Sequence, residues 1–290
     1  MIDSVSHLVN YHVRHSINIG DWFSSPLLYF DFPGFQTEAK NIDDLPQEKL
    51  QNQHLILGGG GLLFPRFLEG IQHLKNYVDQ GKYIFWVVGQ QSYKDPSLTF
   101  AQFDYSPYVE SVDLLGIRDY GVGLNWVPCV SCMHQEFDRP RVPQHEVVVF
   151  SHKKFRIQVP GLPTLTNESM DFRTVLDFLG SGETILTSSF HGAYWGTLLG
   201  RKVIAFPFTS KFYGLKHSPV FYPVKKWKQK SYKLSLFGKT LYESRDPNWF
   251  ECEMDDWHSW LSEGQSYPSS LQECRDRNQA FYQQVLDLLT

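Results

Sequence analysis

The chain has 290 residues, 42% of them hydrophobic, with 27 Lys+Arg against 31 Asp+Glu. Such a composition supports a sizeable buried core, in two ordinary domains or one large one, and excludes a largely disordered chain. The near balance of charge gives no reason to expect nucleic acid as a partner, and no window, the N-terminal MIDSVSHLVNYHVRHS included, approaches the roughly 18 consecutive apolar residues of an integral membrane segment, so a soluble, cytoplasmic protein is expected.

In chain order, Val9, Tyr11 and Val13 alternate like a strand, ahead of Asn18-Ile19-Gly20-Asp21 and a helix from Trp22 to Phe30. His54-Leu55-Ile56-Leu57 reads as a buried strand entering a tight turn at Gly58 to Gly61. A helix follows, with Phe67, Leu68, Ile71, Leu74 and Val78 at helical spacing, Pro65 in its first turn and Gly81 as its C-terminal cap. Tyr83-Ile84-Phe85-Trp86-Val87-Val88 supplies the next strand, completing a strand, helix, strand unit with a parallel sheet. Leu114-Leu115-Gly116-Ile117 is a further strand with Arg118-Asp119 at its carboxyl end.

Four cysteines are too few for a disulfide scaffold and point to a reducing compartment. Cys129-Val130-Ser131-Cys132 lacks the second close pair of a structural zinc site, so packed thiols and no required metal are expected. Pro140 and Pro143 mark a domain boundary, giving domains at 1–141 and 142–290. In the second half the pattern reads strand 147–150, helix 172–179, strand 184–187, helix 191–199 and strand 202–206. KKWKQKSYK, from Lys225 to Lys233, reads as a solvated loop. A last helix over 277–289, with Phe281, Val285 and Leu288 on one face, should pack back onto the body. The fold class is therefore α/β, with two Rossmann-like domains.

In open parallel sheets, ligands bind beyond the carboxyl ends of the strands, where loops and helix N-termini converge. Candidate residues should follow strands, and Asn18, Asp21, Gly58 to Gly61, Arg118, His152, Lys153 and His191 do. The glycine run lacks the third glycine of a dinucleotide fingerprint and the Gly-Lys-Ser/Thr of a P-loop; it permits close approach of backbone amides to a ligand, or a tight helix entry. Ser188 or Ser189 can cap the following helix, which sets His191 in its electropositive first turn, where it can exchange a proton near neutral pH. Gly192, Gly196 and Gly200 share one face of that helix and allow it to lie close to the sheet.

Asn18-Ile19-Gly20-Asp21, Leu57-Gly58-Gly59-Gly60-Gly61, Gly116-Ile117-Arg118-Asp119 and Thr187-Ser188-Ser189-Phe190-His191-Gly192, in this order, resemble the polysaccharide pyruvyltransferase family over about residues 9 to 215. The resemblance implies two domains facing a cleft, as in B-type glycosyltransferases, the first holding the acceptor and the second the donor. It implies transfer of a pyruvyl group from phosphoenolpyruvate to sugar hydroxyls of a glycan or lipid-linked saccharide, with release of phosphate and no cofactor. His191 is then the catalytic acid and Asp21 orients the attacking hydroxyl or accepts its proton. Some members carry an arginine where this chain has Ser189, so the donor's charge falls to Arg118 first, or to Lys153, Arg156 or Lys211. Asn18, Gly59, Gly60, Gly61, His152, Lys153, Ser188, Ser189 and Lys211 complete the implied site, and Trp22 and Trp195 are sugar-stacking rings or core. A B-type glycosyltransferase using a nucleotide sugar and a non-catalytic glycan-binding relative are the alternatives.

Overall fold

The computed structural model describes residues 7–14, 17–45, 52–78, 80–236 and 239–290. They divide into two compact units. Unit 1 holds the described residues up to Arg139 together with Thr209–Ser218 and Ser269–Thr290; unit 2 holds Pro140–Phe208 and Pro219–Pro268.

In unit 1, the strands are β1 (His7–His12), β2 (Gln36–Asn41), β3 (Gln53–Leu63), β4 (Tyr83–Gln90) and β5 (Leu114–Ile117), paired in parallel in the order β2-β1-β3-β4-β5. The connections carry α1 (Ile19–Trp22), α2 (Leu68–His73), α3 (Pro96–Gln102) and α4 (Ser106–Val109). Leu55, Leu57, Phe85, Val88 and Ile117 form the core with Ile71 and Leu74 from the helical face expected from the sequence. Each such side chain contributes about 1.5–3 kcal/mol on burial. The helix expected over 22–30 is instead the single turn of α1 and a short 3-10 turn at Pro26–Leu28.

The glycines depart from expectation. β3 runs through them to Leu63, so no tight turn follows Leu57. Gly59, at φ 97°, lies under the loop after α1, where a Cβ would sit 2.6 Å from the Ser24 carbonyl oxygen. That position therefore serves backbone packing.

In unit 2, β6 (His145–Ser151), β7 (Phe155–Arg156), β8 (Thr164–Thr166), β9 (Gly182–Thr187), β10 (Lys202–Ala205) and β11 (Val220–Phe221) are joined by α5 (Phe172–Gly180) and α6 (Phe190–Leu198). Its parallel sheet is ordered β11-β10-β9-β6-β8. Read from its first strand, this order is that of unit 1: second, first, third, fourth, fifth. Helix α5 shows how the sequence achieves it. Phe172, Val175, Leu176 and Leu179 give it one buried face, and Asp171 caps it by accepting from the Arg173 and Thr174 amides at 3.2 and 3.3 Å. Asp171→Ala would remove this cap and weaken the helix start.

Helix α6 is buried on every side, and here Gly192 and Gly196 do allow close packing. A Cβ on Gly192 would come within 2.5 Å of the Phe150 ring, and one on Gly196 within 2.6 Å of Ile185. Gly200 acts differently: at φ 70° it ends the helix, with its amide bonded to the Thr197 carbonyl and the Arg201 amide to that of Gly196, a Schellman cap.

Two further expectations are corrected. The lysine-rich stretch is not a loop: it lies largely in β12 (Lys228–Leu236), which pairs antiparallel with β13 (Lys239–Glu251), and β13 adds to β7. A single division at 141/142 also fails, because two C-terminal segments belong to unit 1. The turn at Ser210–Gly214 docks on the end of β4, and the last helix, α7 (Ser270–Leu289), packs on β5, where Phe281 fills the space that Gly116 leaves. Helix α7 begins seven residues before the expected start and buries Asn278, which accepts from Trp86 Nε1 at 3.2 Å.

Candidate functional site

In a doubly wound sheet of this order the chain changes sides between the first and third strands, and the crevice opens at their carboxyl ends. Those points are β1/β3 in unit 1 and β6/β9 in unit 2.

At the β6/β9 end, hydroxyl groups lock two loops together. Thr187 Oγ1 donates to the Phe150 carbonyl at 2.6 Å and accepts from the Ser189 amide at 3.0 Å. Ser188 Oγ accepts from the His152 amide at 2.9 Å and donates to the Phe155 carbonyl at 2.5 Å. Ser189 caps α6 by accepting from the Gly192 amide at 3.3 Å. His191 therefore stands two residues inside a capped N-terminus, 7% exposed, with its ring 4.9 Å from that of Trp195. Partial positive charge from the helix end favours an anion here.

The loop after β6 adds full charges. Asn167 Oδ1 accepts from the Lys153 amide at 2.7 Å, and Arg156 Nε donates to the Lys153 carbonyl at 2.9 Å. Arg156 lies 4.0 Å over the Trp249 ring and only 3.9 Å from Glu168 at its nearest oxygen. With Lys153 and Lys154 it makes the loop rich in basic residues, and Glu251, its neighbour on β13, is a second acid beside it. His152 Nδ1 accepts from the Lys154 and Phe155 amides, both at 3.1 Å, so that nitrogen carries no proton and the ring's N–H lies at Nε2.

At the carboxyl end of the unit 1 sheet the charges are paired. Arg118, 5% exposed, donates from Nε and Nη2 to Asp119 Oδ1 at 3.2 and 3.0 Å, and from Nη2 to the Gln90 carbonyl at 3.1 Å. Asp119 Oδ2 accepts in turn from the Gln90 amide at 2.6 Å and from Tyr105 Oη at 2.9 Å. Gly89 makes room for this ion pair, since a Cβ there would lie 2.6 Å from Arg118 Nε. Lys211 is half-buried; burial lowers its pKa to about 8, with Asp21 opposing that shift and Arg118 adding to it. His12, at the end of β1, is lowered to about 4 by burial and by Arg14, against a hydrogen bond to the Asp21 backbone. Asn18 accepts from the Gly20 amide at 3.3 Å and so caps α1.

Several expected residues therefore gather within their own unit. Asp21, Arg118 and Lys211 act on one another in unit 1; His152, Lys153, Ser188, Ser189 and His191 share the β6/β9 end in unit 2. Gly59 and Gly61 instead pack against Ser24 and the Gln91 side chain. Trp195 is fully buried, whereas Trp22 is 42% exposed beside a cavity of about 540 Å³ that Tyr11, Arg14 and Lys40 also line. In the lysine-rich stretch, Lys228 and Lys230 pair with Glu253 and Glu251. Cys129 lies 3.2 Å from Ser131 Oγ and burial raises its pKa, while Cys132 accepts from Asn278 at 3.4 Å. Among the described residues no group of three or more His, Cys, Asp or Glu is arranged to hold a metal ion, and no helix is long and apolar enough to cross a membrane.

Sequence reading missed Asn10, Gln90 and Thr209. Asn10 is fully buried, donates to the Ile56 and Gly58 carbonyls at 3.2 and 3.3 Å, and accepts from Ser25 at 2.6 Å. The strand-end rule that singled out Arg118 applies equally to Gln90, the last residue of β4.

The class defined so far is an α/β protein with two parallel five-stranded sheets of Rossmann-like character. No family model and no curated protein matches the chain. Among solved structures it is similar to a functional uncharacterized protein from Klebsiella pneumoniae subsp. pneumoniae NTUH-K2044, at 17% identity over 70% of this chain and 84% of that one, with a TM-score of 0.42.

Proposed function

We propose that the chain is a transferase that moves the pyruvyl group of phosphoenolpyruvate onto sugar hydroxyls of a glycan. The observation that carries the reading is the first turn of α6, where His191 stands at a serine-capped helix N-terminus behind a parallel strand. The cationic loop with Lys153 and Arg156 supports it, because a small, highly charged donor needs ammonium or guanidinium groups as well as helix-end amides. Arg118, offset by Asp119, moves from first choice for that charge to a residue that holds the end of β4.

His191 gives a proton to the methylene carbon of phosphoenolpyruvate, and a sugar hydroxyl attacks the adjacent carbon and loses its proton to a base, Asp21 on this reading. A second hydroxyl of the same sugar then displaces phosphate, which leaves with that hydroxyl's proton. The products are a cyclic pyruvate ketal and inorganic phosphate. Transfer requires donor and acceptor to meet, so the reading carries the B-type expectation of two units facing one cleft.

Incubation with phosphoenolpyruvate and a panel of glycosides should release phosphate together with a mass gain of one pyruvyl group on the sugar. Phosphate release without that adduct, or neither, would refute the transfer. The α6 N-terminus equally suits the diphosphate of a nucleotide sugar, the substrate of a B-type glycosyltransferase. A thermal-shift series separates the two, since only the bound donor raises the melting temperature by mass action.

A further inference from the structure

Strand β13 lies beyond the residues that resemble the pyruvyltransferase family, yet it holds the basic loop of unit 2. Strand β7 pairs with it in parallel, Phe155 against Phe250 and Arg156 against Glu251, and the Phe250 amide donates to the Lys154 carbonyl at 2.8 Å. The Phe155 ring stacks on those of Phe208 and Phe250, with centroids 4.0 and 5.0 Å apart. The same strand is tied to the start of α6, because the Ser188 hydroxyl donates to the Phe155 carbonyl. The loop therefore runs between a capped helix N-terminus and the two-stranded ribbon of β12 and β13.

Glu251 is the carboxylate that strand pairing sets beside Arg156, and other groups engage it. Its Oε1 accepts from Trp249 Nε1 at 2.6 Å and from Lys230 Nζ at 3.3 Å. The same indole presents its ring to two cations: Arg156 Cζ lies 4.0 Å from the centroid and Lys230 Nζ 3.8 Å. An aromatic face attracts a guanidinium without neutralising it and leaves the N–H edges open, whereas a carboxylate would occupy those edges. Arg156 Nε donates to the Lys153 carbonyl, and Nη2 stands 3.9 Å from Glu168, beyond hydrogen-bond length. We infer that Trp249 is a positioning residue: it engages Glu251 through its N–H and Arg156 through its ring, and so keeps the two from pairing and holds the guanidinium for an oxyanion of the donor. This rests on the transferase reading and adds to it a residue on the ribbon.

The test is isothermal titration of the full chain with phosphoenolpyruvate and, separately, inorganic phosphate, beside initial rates of transfer to the glycoside panel. Trp249→Leu should raise both the Kd and the KM for phosphoenolpyruvate about tenfold, the order of one charge-assisted contact, with kcat within about twofold of the parent. Trp249→Leu/Glu251→Gln should regain most of that affinity, since the neutral amide does not compete for Arg156. In an Arg156→Met background, Trp249→Leu should change nothing further, because both substitutions act through one guanidinium. If Trp249→Leu does not fold, Trp249→Phe, which keeps an aromatic face and loses the N–H, takes its place with the same rescue by Glu251→Gln. A Kd that is unchanged, or raised and not restored by Glu251→Gln, overturns the inference and leaves the transferase reading standing. Anion binding without pyruvyl transfer overturns that reading alone, and the Kd series for the bound anion then decides the inference. A parent protein that binds neither anion overturns both.

Discussion

The carboxyl ends of the two parallel sheets occupy equivalent places in two copies of one strand order, yet their chemistry differs. In unit 2 the loop after β6 carries three basic residues, Lys153, Lys154 and Arg156, beside the amides of a helix N-terminus, with Glu168 3.9 Å from Arg156. In unit 1 Arg118 is bonded to Asp119, and Asp21 acts electrostatically on Lys211. Topology sets where a crevice opens, and the side chains at the strand ends set what it attracts. The first end suits an anion and the second a neutral, polar ligand.

The sharpest way to break this contrast is at His191. His191→Asn should lower kcat by about a hundredfold to ten-thousandfold, the usual scale of a general acid, with little change in melting temperature. Initial rates of phosphate release check this, and full turnover would remove His191 from the chemistry. At Arg118 the expected effect is on folding. Arg118→Met leaves Asp119 buried without its cation and should cost about 3–5 kcal/mol in denaturant unfolding, partly recovered in the double variant Arg118→Met/Asp119→Asn. A stable Arg118→Met protein with a raised KM for phosphoenolpyruvate would return Arg118 to donor binding.

Acid sharpens the difference between the units. His12 and His54, both in unit 1, have folded pKa values of about 4, lowered chiefly by burial from 6.5. Above pH 6.5 both are neutral in the folded and the unfolded chain, so their titration does not affect stability there. As the pH falls from there through 4, the unfolded chain takes up protons that the folded chain refuses, so stability drops by up to on the order of 3 kcal/mol for each. Melting temperature should fall over that window, and less steeply in His54→Asn, whose amide oxygen can replace Nδ1 as acceptor for the Lys82 amide. The smallest effect is expected from Lys153→Met, which should raise the KM for phosphoenolpyruvate about tenfold, the order of one charge-assisted contact, and leave that for the glycoside unchanged.

Most strands were legible because continuous apolar runs such as 83–88 and 147–150 admit few other structures. The serine cap and His191 were legible for the same reason: each follows such a run directly. The glycines misled, because a strand that turns under a neighbouring loop at Gly59 and one that ends in a turn share one composition. The pairing of Arg118 with Asp119 is adjacent in sequence, but its burial and its bond to Gln90 depend on β4. Thr209 and Lys211 join unit 1 through a chain crossing that no local pattern encodes, whereas Gln90, the last residue of an apolar strand, lay within reach of the strand-end rule.

Amide hydrogen exchange followed by mass spectrometry, with and without saturating phosphoenolpyruvate, tests the contrast most directly. Protection should rise in peptides spanning 152–156 and 188–192 and stay unchanged over 90–93 and 209–211. Protection confined to the unit 1 segments, or none in either unit, would contradict the account.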